Sequence, residues 1–244
     1  FSSYVKFFSD LITNTNIDTS RKAFASQEAA RYLDFIKTSA QNITLPGGPY
    51  HERNDILRAM AETGRATVQC RLVDSYFGNI SYFDGSSIFI SQTASSLDEL
   101  AGAIDECPMD GSSCAGITAS SEFTAHRDIY TRAPVQAVLH GHPKFSVIMS
   151  MRCEKSSCEF EGQCHKRCPE KRFIGDVPIV PGEIGTGTYG LCNTLPPALV
   201  HARGSIVFGH GLFTTGKTDF TEAFSAMVDI EMMCAKRYVE TLET

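Results

Sequence analysis

Three histidines and one glutamate have the residue types that divalent-metal chemistry needs. His140 and His142, in Leu139-His140-Gly141-His142, end an apolar, β-branched run from Val135 to His142, which reads as a strand. Residues two apart on a strand point to the same face, so the two imidazoles make one edge suited to a metal. Taken alone, the pair equally suits two hydrogen-bonded histidines. His210 alters that balance: it follows the apolar run Ser205-Ile206-Val207-Phe208 and precedes Gly211, again a strand end before a turn. Three neutral imidazoles with an open position are the donor set of a catalytic divalent ion, most often zinc. His201, at the other end of that strand, is expected to take no part. Glu122 follows Ser120-Ser121 at a helix start; by itself it reads as a first-turn glutamate favoured by the helix dipole.

A second group of metal-ligating residues lies apart from these. Cys153, Cys158, Cys164 and Cys168 follow the pattern C-x4-C-x5-C-x3-C within Met149 to Arg172, a stretch with six basic and four acidic residues and almost no periodic apolar ones. This stretch reads as an insertion. Four thiolates so close in sequence suit a tetrahedral ion, and a segment that cannot order itself by burial needs a crosslink. Zinc is the first choice and an iron–sulfur cluster the second; His165 could stand in for one thiolate. The alternatives are a mobile loop with free thiols or, in an oxidising compartment, disulfides.

Elements must position these groups. Tyr4, Val5, Phe8, Leu11 and Ile12 follow the helical period, as do Ala29, Leu33 and Ile36, so residues 1–45 are predicted helical. Leu45-Pro46-Gly47-Gly48-Pro49 ends that region, and a helix starting near His51 turns Ile56, Leu57, Met60 and Val68 inward. Phe77–Phe83 and Ser87–Ser91 read as a hairpin turning at Gly85, and Glu122–Tyr130 as a helix. The last helix is clearest: Asp219 caps it, Glu222 sits three residues on, and Phe220, Ala223, Phe224, Met227 and Ile230 or Glu231 share a face. Strands alternate irregularly with helices, which predicts an α/β chain with a mixed sheet covered by helices.

At 244 residues, 42% apolar and 20% charged, the chain can bury a sizeable core. Its formal charge of -6, without a basic stripe, argues against nucleic-acid and anionic-membrane partners, and no run of eighteen apolar residues occurs. Nine cysteines are too sparse for a disulfide-held miniprotein, and a cytoplasmic, reducing compartment is expected.

The order Gly78-Asn79-Ile80-Ser81, Ser120-Ser121-Glu122, His140-Gly141-His142 and Gly209-His210-Gly211 before a long amphipathic helix resembles the class II aldolase/adducin family over roughly His51 to Glu240. The resemblance implies that family's central mixed or antiparallel sheet covered by helices over residues 51–244. Residues 1–50, as an N-terminal helical extension, and the cysteine-rich insertion at about 149–172 lie outside its pattern. It further implies that His140, His142 and His210 bind zinc, that Glu122 is the acid/base, and that Gly78, Asn79, Thr93, Ser120 and Ser121 hold a sugar phosphate. The implied reaction cleaves a ketose 1-phosphate to dihydroxyacetone phosphate and an aldehyde through a metal-stabilised enediolate, in a homotetramer. A methylthioribulose-phosphate dehydratase, a sugar-phosphate epimerase and a non-catalytic adducin-like module are the alternatives in the family. A pKa raised by partial burial is expected for Glu122. One departure stands out: the family's Thr-Gly is Thr93-Ala94 here, and alanine resists positive φ. Tyr189 and Tyr238 are the candidates for a tyrosine offered across subunits.

Overall fold

The computed structural model describes residues 2–13, 18–74, 76–110, 112, 117–153, 155, 157–168, 170–183 and 187–243. Its strands are β1 (Asn79–Phe83), β2 (Ser87–Ser91), β3 (Ile104–Pro108), β4 (Ala137–Gly141), β5 (Arg172–Ile174), β6 (Val177–Val180), β7 (Gly204–Val207) and β8 (Gly211–Gly216). The helices are α1 (Ser2–Thr13), α2 (Thr19–Gln41), α3 (Arg53–Gln69), α4 (Phe123–Arg132), α5 (Lys144–Met151), α6 (Leu191–Leu199) and α7 (Phe220–Glu243). One sheet takes all eight strands in the order β3-β2-β1-β4-β8-β7-β6-β5. Neighbours pair antiparallel except β6 and β7, which run parallel, so the sheet is mixed as expected.

Strand alternation sorts the apolar residues into two layers. Ile80, Tyr82, Leu139, Ile206 and Leu212 face a large core shared with α1, α2, α3, α5 and α7. Ile88, Ile90, Val138, Val207 and Phe213 face a smaller core under α4 and α6. The period of two thereby places His140, two residues after Val138, on the α4 side. Helices α1 and α2 contribute Val5, Phe8, Leu11, Ala25, Ala29, Tyr32 and Ile36 to the large core, against α5 and α7. Tyr238 is fully buried there and donates its hydroxyl to Phe8 O at 3.0 Å, which removes it as a residue offered to a neighbouring subunit.

The predicted hairpin and terminal helix are present. Gly85 turns β1 into β2 at φ 104°, and Asp219 Oδ1 accepts the N–H groups of Thr221 and Glu222 at the start of α7. Elements the pattern did not predict have local reasons for escaping it. Helix α5 buries every side chain from Phe145 to Ser150, so it has no polar face to give a period. Helix α6 contains Pro196 and Pro197, and β3 carries Asp105, Glu106 and Pro108 on a sheet edge. Both Ile230 and Glu231 are buried on α7. The Glu231 carboxylate accepts the N–H groups of Phe145 and Ser146 at 2.8 and 2.7 Å and so caps α5 from another helix. That capping fixes the chain immediately after His142.

Candidate metal centre and active site

The three histidines converge at one end of the sheet. His140 lies within β4, flanked in register by Asn79 of β1 and Phe213 of β8. Its ring stacks on Phe213 with centroids 3.9 Å apart. His142 follows at the strand end, and His210 sits in the tight turn from β7 to β8, where Gly209 adopts φ 63° and His210 N–H donates to Val207 O at 3.0 Å. The ligand nitrogens of His140, His142 and His210 lie within 4.8 Å of one another. Gly211 makes that approach feasible, since a Cβ there would fall 2.6 Å from His140 Cε1 and 2.8 Å from His142 Cδ2. His201 is exposed, before the opposite end of β7 from this turn, and belongs to no such group among the described residues.

The donor chemistry fits a divalent metal. His140 Nδ1–H donates to Leu212 O at 3.1 Å, which fixes the tautomer and leaves the Nε2 lone pair for a ligand. That nitrogen faces His142 Nε2 at 3.1 Å. Burial, reinforced by the neighbouring histidines, pushes His142 down to about 2. Burial likewise lowers His140 to about 4, so both rings are neutral near pH 7 and available as ligands.

Glu122 is held against this group. It precedes the first turn of α4, buried at 7% exposure. Its Oε1 lies 3.1 Å from His210 Nε2 and its Oε2 3.6 Å from His140 Nε2. Burial pushes its carboxyl up, but His140, His210 and the Asn79 amide outweigh burial and hold it well below the usual carboxylate range. The raised value expected from sequence is thereby reversed: burial acts in the expected direction, whereas the imidazole and amide partners that outweigh it come from other elements.

Behind Glu122 runs a buried hydrogen-bond chain that the sequence reading missed. Tyr130 Oη lies 2.6 Å from Ser81 Oγ. Ser81 Oγ is 2.6 Å from His126 Nδ1, His126 Nε2 is 2.6 Å from Asn79 Oδ1, and Asn79 Nδ2–H donates to Glu122 Oε2 at 2.7 Å. Because the Asn79 amide oxygen can only accept and a neutral His126 carries one N–H, the consistent direction sends every proton toward Glu122, which is left as a pure acceptor. Burial depresses His126 to about 3 and keeps it neutral, as this direction requires. The spacing held the signal: His126 is one helical turn beyond Glu122, and Ser81 is two residues beyond Asn79.

The other expected substrate residues are placed as follows. Gly78 lets β4 approach closely, since a Cβ there would meet His140 O at 2.6 Å. Asn79 has both amide ends committed to Glu122 and His126. Segments 91–94 and 118–122 lie side by side: Ser120 N–H donates to Ser91 O, Thr93 N–H to Thr118 O, and Thr93 Oγ1–H to Ala119 O at 2.8 Å. Ser120 Oγ accepts Glu122 N–H at 3.3 Å, whereas Ser121 is exposed. Ala94 adopts φ 60°, the left-handed conformation that a glycine takes more readily. The cysteines lie elsewhere, beyond the far end of α5.

Known proteins carry the same architecture. A solved L-fuculose-1-phosphate aldolase from Thermus thermophilus superposes with a TM-score of 0.58 at 22% identity, covering 75% of this chain and 93% of that one. A sugar-phosphate aldolase from Thermotoga maritima does so at 0.55 and 19%, over 78% and 96% of the two chains. Another L-fuculose 1-phosphate aldolase gives 0.59 and 20%, over 79% and 88%. At these identities the likeness is one of fold. No curated protein sequence matches the chain at a significant level. The family model described as "Class II Aldolase and Adducin N-terminal domain" matches residues 58–238, most of the chain and all of the histidine and glutamate motifs, so the protein belongs to the class II aldolase/adducin family.

Proposed function

We propose that this chain is a zinc-dependent aldolase that cleaves a ketose 1-phosphate to dihydroxyacetone phosphate and an aldehyde, working as a homotetramer in the cytoplasm. The observation that carries this reading is the joint placement of three imidazoles with ligand atoms within 4.8 Å and a buried carboxylate 3.1 Å from one of them. An adducin-like module without chemistry has no use for a carboxylate held by a directed chain of buried donors.

His140, His142 and His210 would hold the zinc ion, which when bound supplies a Lewis acid for the substrate oxygen that gains charge as C3–C4 breaks. The chain's own residues do the rest. Glu122, an acceptor at both oxygens, takes a proton from the substrate in one direction and returns it to the enediolate carbon in the other. Asn79, oriented by His126, keeps the carboxylate aimed at the reacting atoms. Thr93, Ser120 and Ser121, on the two adjacent segments, together with the backbone at Gly78 and Asn79, would receive the phosphate through hydroxyls and N–H groups. The Asn79 side chain, being committed, serves Glu122 in this scheme.

The test is a panel of ketose 1-phosphates incubated with zinc-loaded protein, with dihydroxyacetone phosphate as the readout and chelation as the control. Cleavage of at least one member, abolished by chelation, is expected. Release of water or epimerisation without carbon–carbon cleavage would overturn the assignment in favour of the dehydratase or the epimerase.

A further inference from the structure

Between Met151, which ends α5, and Arg172, which opens β5, the chain has no regular structure among its described residues. None of the described residues from 152 to 171 is buried. Those that are half-buried are Arg152, Cys158, Phe160, Cys164 and Cys168, so what this segment turns inward is chiefly thiols. Cys153, Cys158, Cys164 and Cys168 all line one half-open cavity of about 690 Å³, bounded also by residues of α1, α5, β5, β6 and α7. All four are free thiols, and Cys153, Cys158 and Cys168 each lie near enough to Cys164 to act on it electrostatically. His165 does not line that cavity.

The Phe160 N–H donates to Cys158 Sγ at 3.4 Å, a backbone donor aimed at sulfur two residues before it. Tight turns, Glu161 N–H to Cys158 O and Lys166 N–H to Gln163 O, fold the segment back on itself. Its ends are pinned: Arg172 donates to the carbonyls of Ser150 and Arg152, and Gly182 N–H donates to His165 O. The exposed ion pairs Lys155–Glu170 and Lys166–Glu183 add ties that contribute little. A segment held at both ends, lacking an apolar interior, and with four sulfurs facing one space wants a centre that is not hydrophobic.

We propose that Cys153, Cys158, Cys164 and Cys168 bind a structural zinc ion that orders this segment. Four thiolates make a closed tetrahedral set with no position for substrate. Among the described residues the histidine trio is the group already gathered to ligand spacing; the four thiols share a cavity without having closed to that spacing, and the ion draws their turns together. The two sites stand at opposite ends of α5, whose eight residues span about 12 Å. The ordered segment also braces the catalytic turn: Ser150 Oγ accepts Gly209 N–H at 2.9 Å, and the Arg172 guanidinium lies 5.6 Å over the Phe208 ring, beside His210.

The experiment is metal stoichiometry by mass spectrometry on the purified full chain, with alkylation mapped by peptide. Wild type is expected to hold two zinc ions per chain, His142→Ala to keep the sulfur-bound one, and Cys158→Ser to lose it. Should Cys158→Ser fail to fold, wild type decides: its four thiols are expected to resist alkylation until a chelator strips the ion, then to react together. Free reaction of all four in folded, zinc-loaded protein, disulfides among them, or iron with inorganic sulfide in place of zinc would each overturn the proposal.

Discussion

The histidine trio and the cysteine quartet are both sets of metal-ligating side chains, yet the fold treats them in opposite ways. The histidines sit on strand ends and a two-strand turn, where ladder hydrogen bonds hold the backbone and the Phe213 stack and the Leu212 carbonyl fix the His140 ring before any ion arrives. The cysteines sit on a segment that has, among its described residues, no buried side chain and no ladder of its own. A catalytic centre must be placed by its scaffold and keep a ligand position open; a structural centre can be the scaffold. Removal of metal therefore leaves the first site standing and loosens the second.

The largest effect expected is on turnover. Glu122→Gln keeps shape and removes basicity, so the cleavage rate should fall about a hundredfold or more while zinc content stays at the wild-type level. Paired with it, His142→Ala should lose the catalytic ion and keep its far-UV circular dichroism and cooperative melting, and His201→Ala should lose neither. Collapse of the fold in His142→Ala would erase the contrast between a site that is scaffolded and one that is scaffolding.

Rigidity at the histidine end can be probed through Gly211. Its replacement by Ala puts a methyl within 2.6 Å of Gly141 O and His140 Cε1, and backbone on one side leaves little room to relax. Denaturant titration should register a loss of about 2 kcal/mol, in the range for overpacking, with zinc bound more weakly. A neutral result would mean the strand ends give way as readily as the insertion does.

The buried chain behind Glu122 gives the same comparison a pH axis. His126 titrates near 3 in the folded protein against an ordinary 6.5, so between those values the unfolded chain binds a proton that the folded one refuses. Stability from this group is full above about pH 6.5 and is lost as pH falls toward 3, at about 1.4 kcal/mol per pH unit. Acid titration of the unfolding midpoint in His126→Gln should therefore show a shallower slope than wild type. An unchanged slope would take His126 out of the acid response.

The smallest expected effect concerns Ala94. At φ 60° it holds a conformation that costs an alanine about 1 kcal/mol relative to glycine, and Ala94→Gly should raise the unfolding free energy by up to about that amount. Because the left-handed turn persists with alanine, KM for a phosphorylated substrate should change little.

Much of this molecule could be read from the chain itself. Val5, Phe8 and Leu11, or Phe220, Ala223 and Met227, reveal their helices because one face is buried and the other solvated, and His140-Gly141-His142 reveals a shared face because a strand has a period of two. Those are local properties, set by backbone geometry within a few residues. Helix α5 stayed hidden because burial on all sides erases periodicity, and its cap, Glu231, lies far along the chain on α7. The charge state of Glu122 depends on Asn79, His140 and His210, and the direction of the chain through Tyr130, Ser81 and His126 depends on the Asn79 amide of β1. The sequence determined which groups could do chemistry and on what kind of element each would lie. Tertiary structure alone decided which of them meet, because contacts across the sheet depend on strand order and register, which bring together residues that no local period connects.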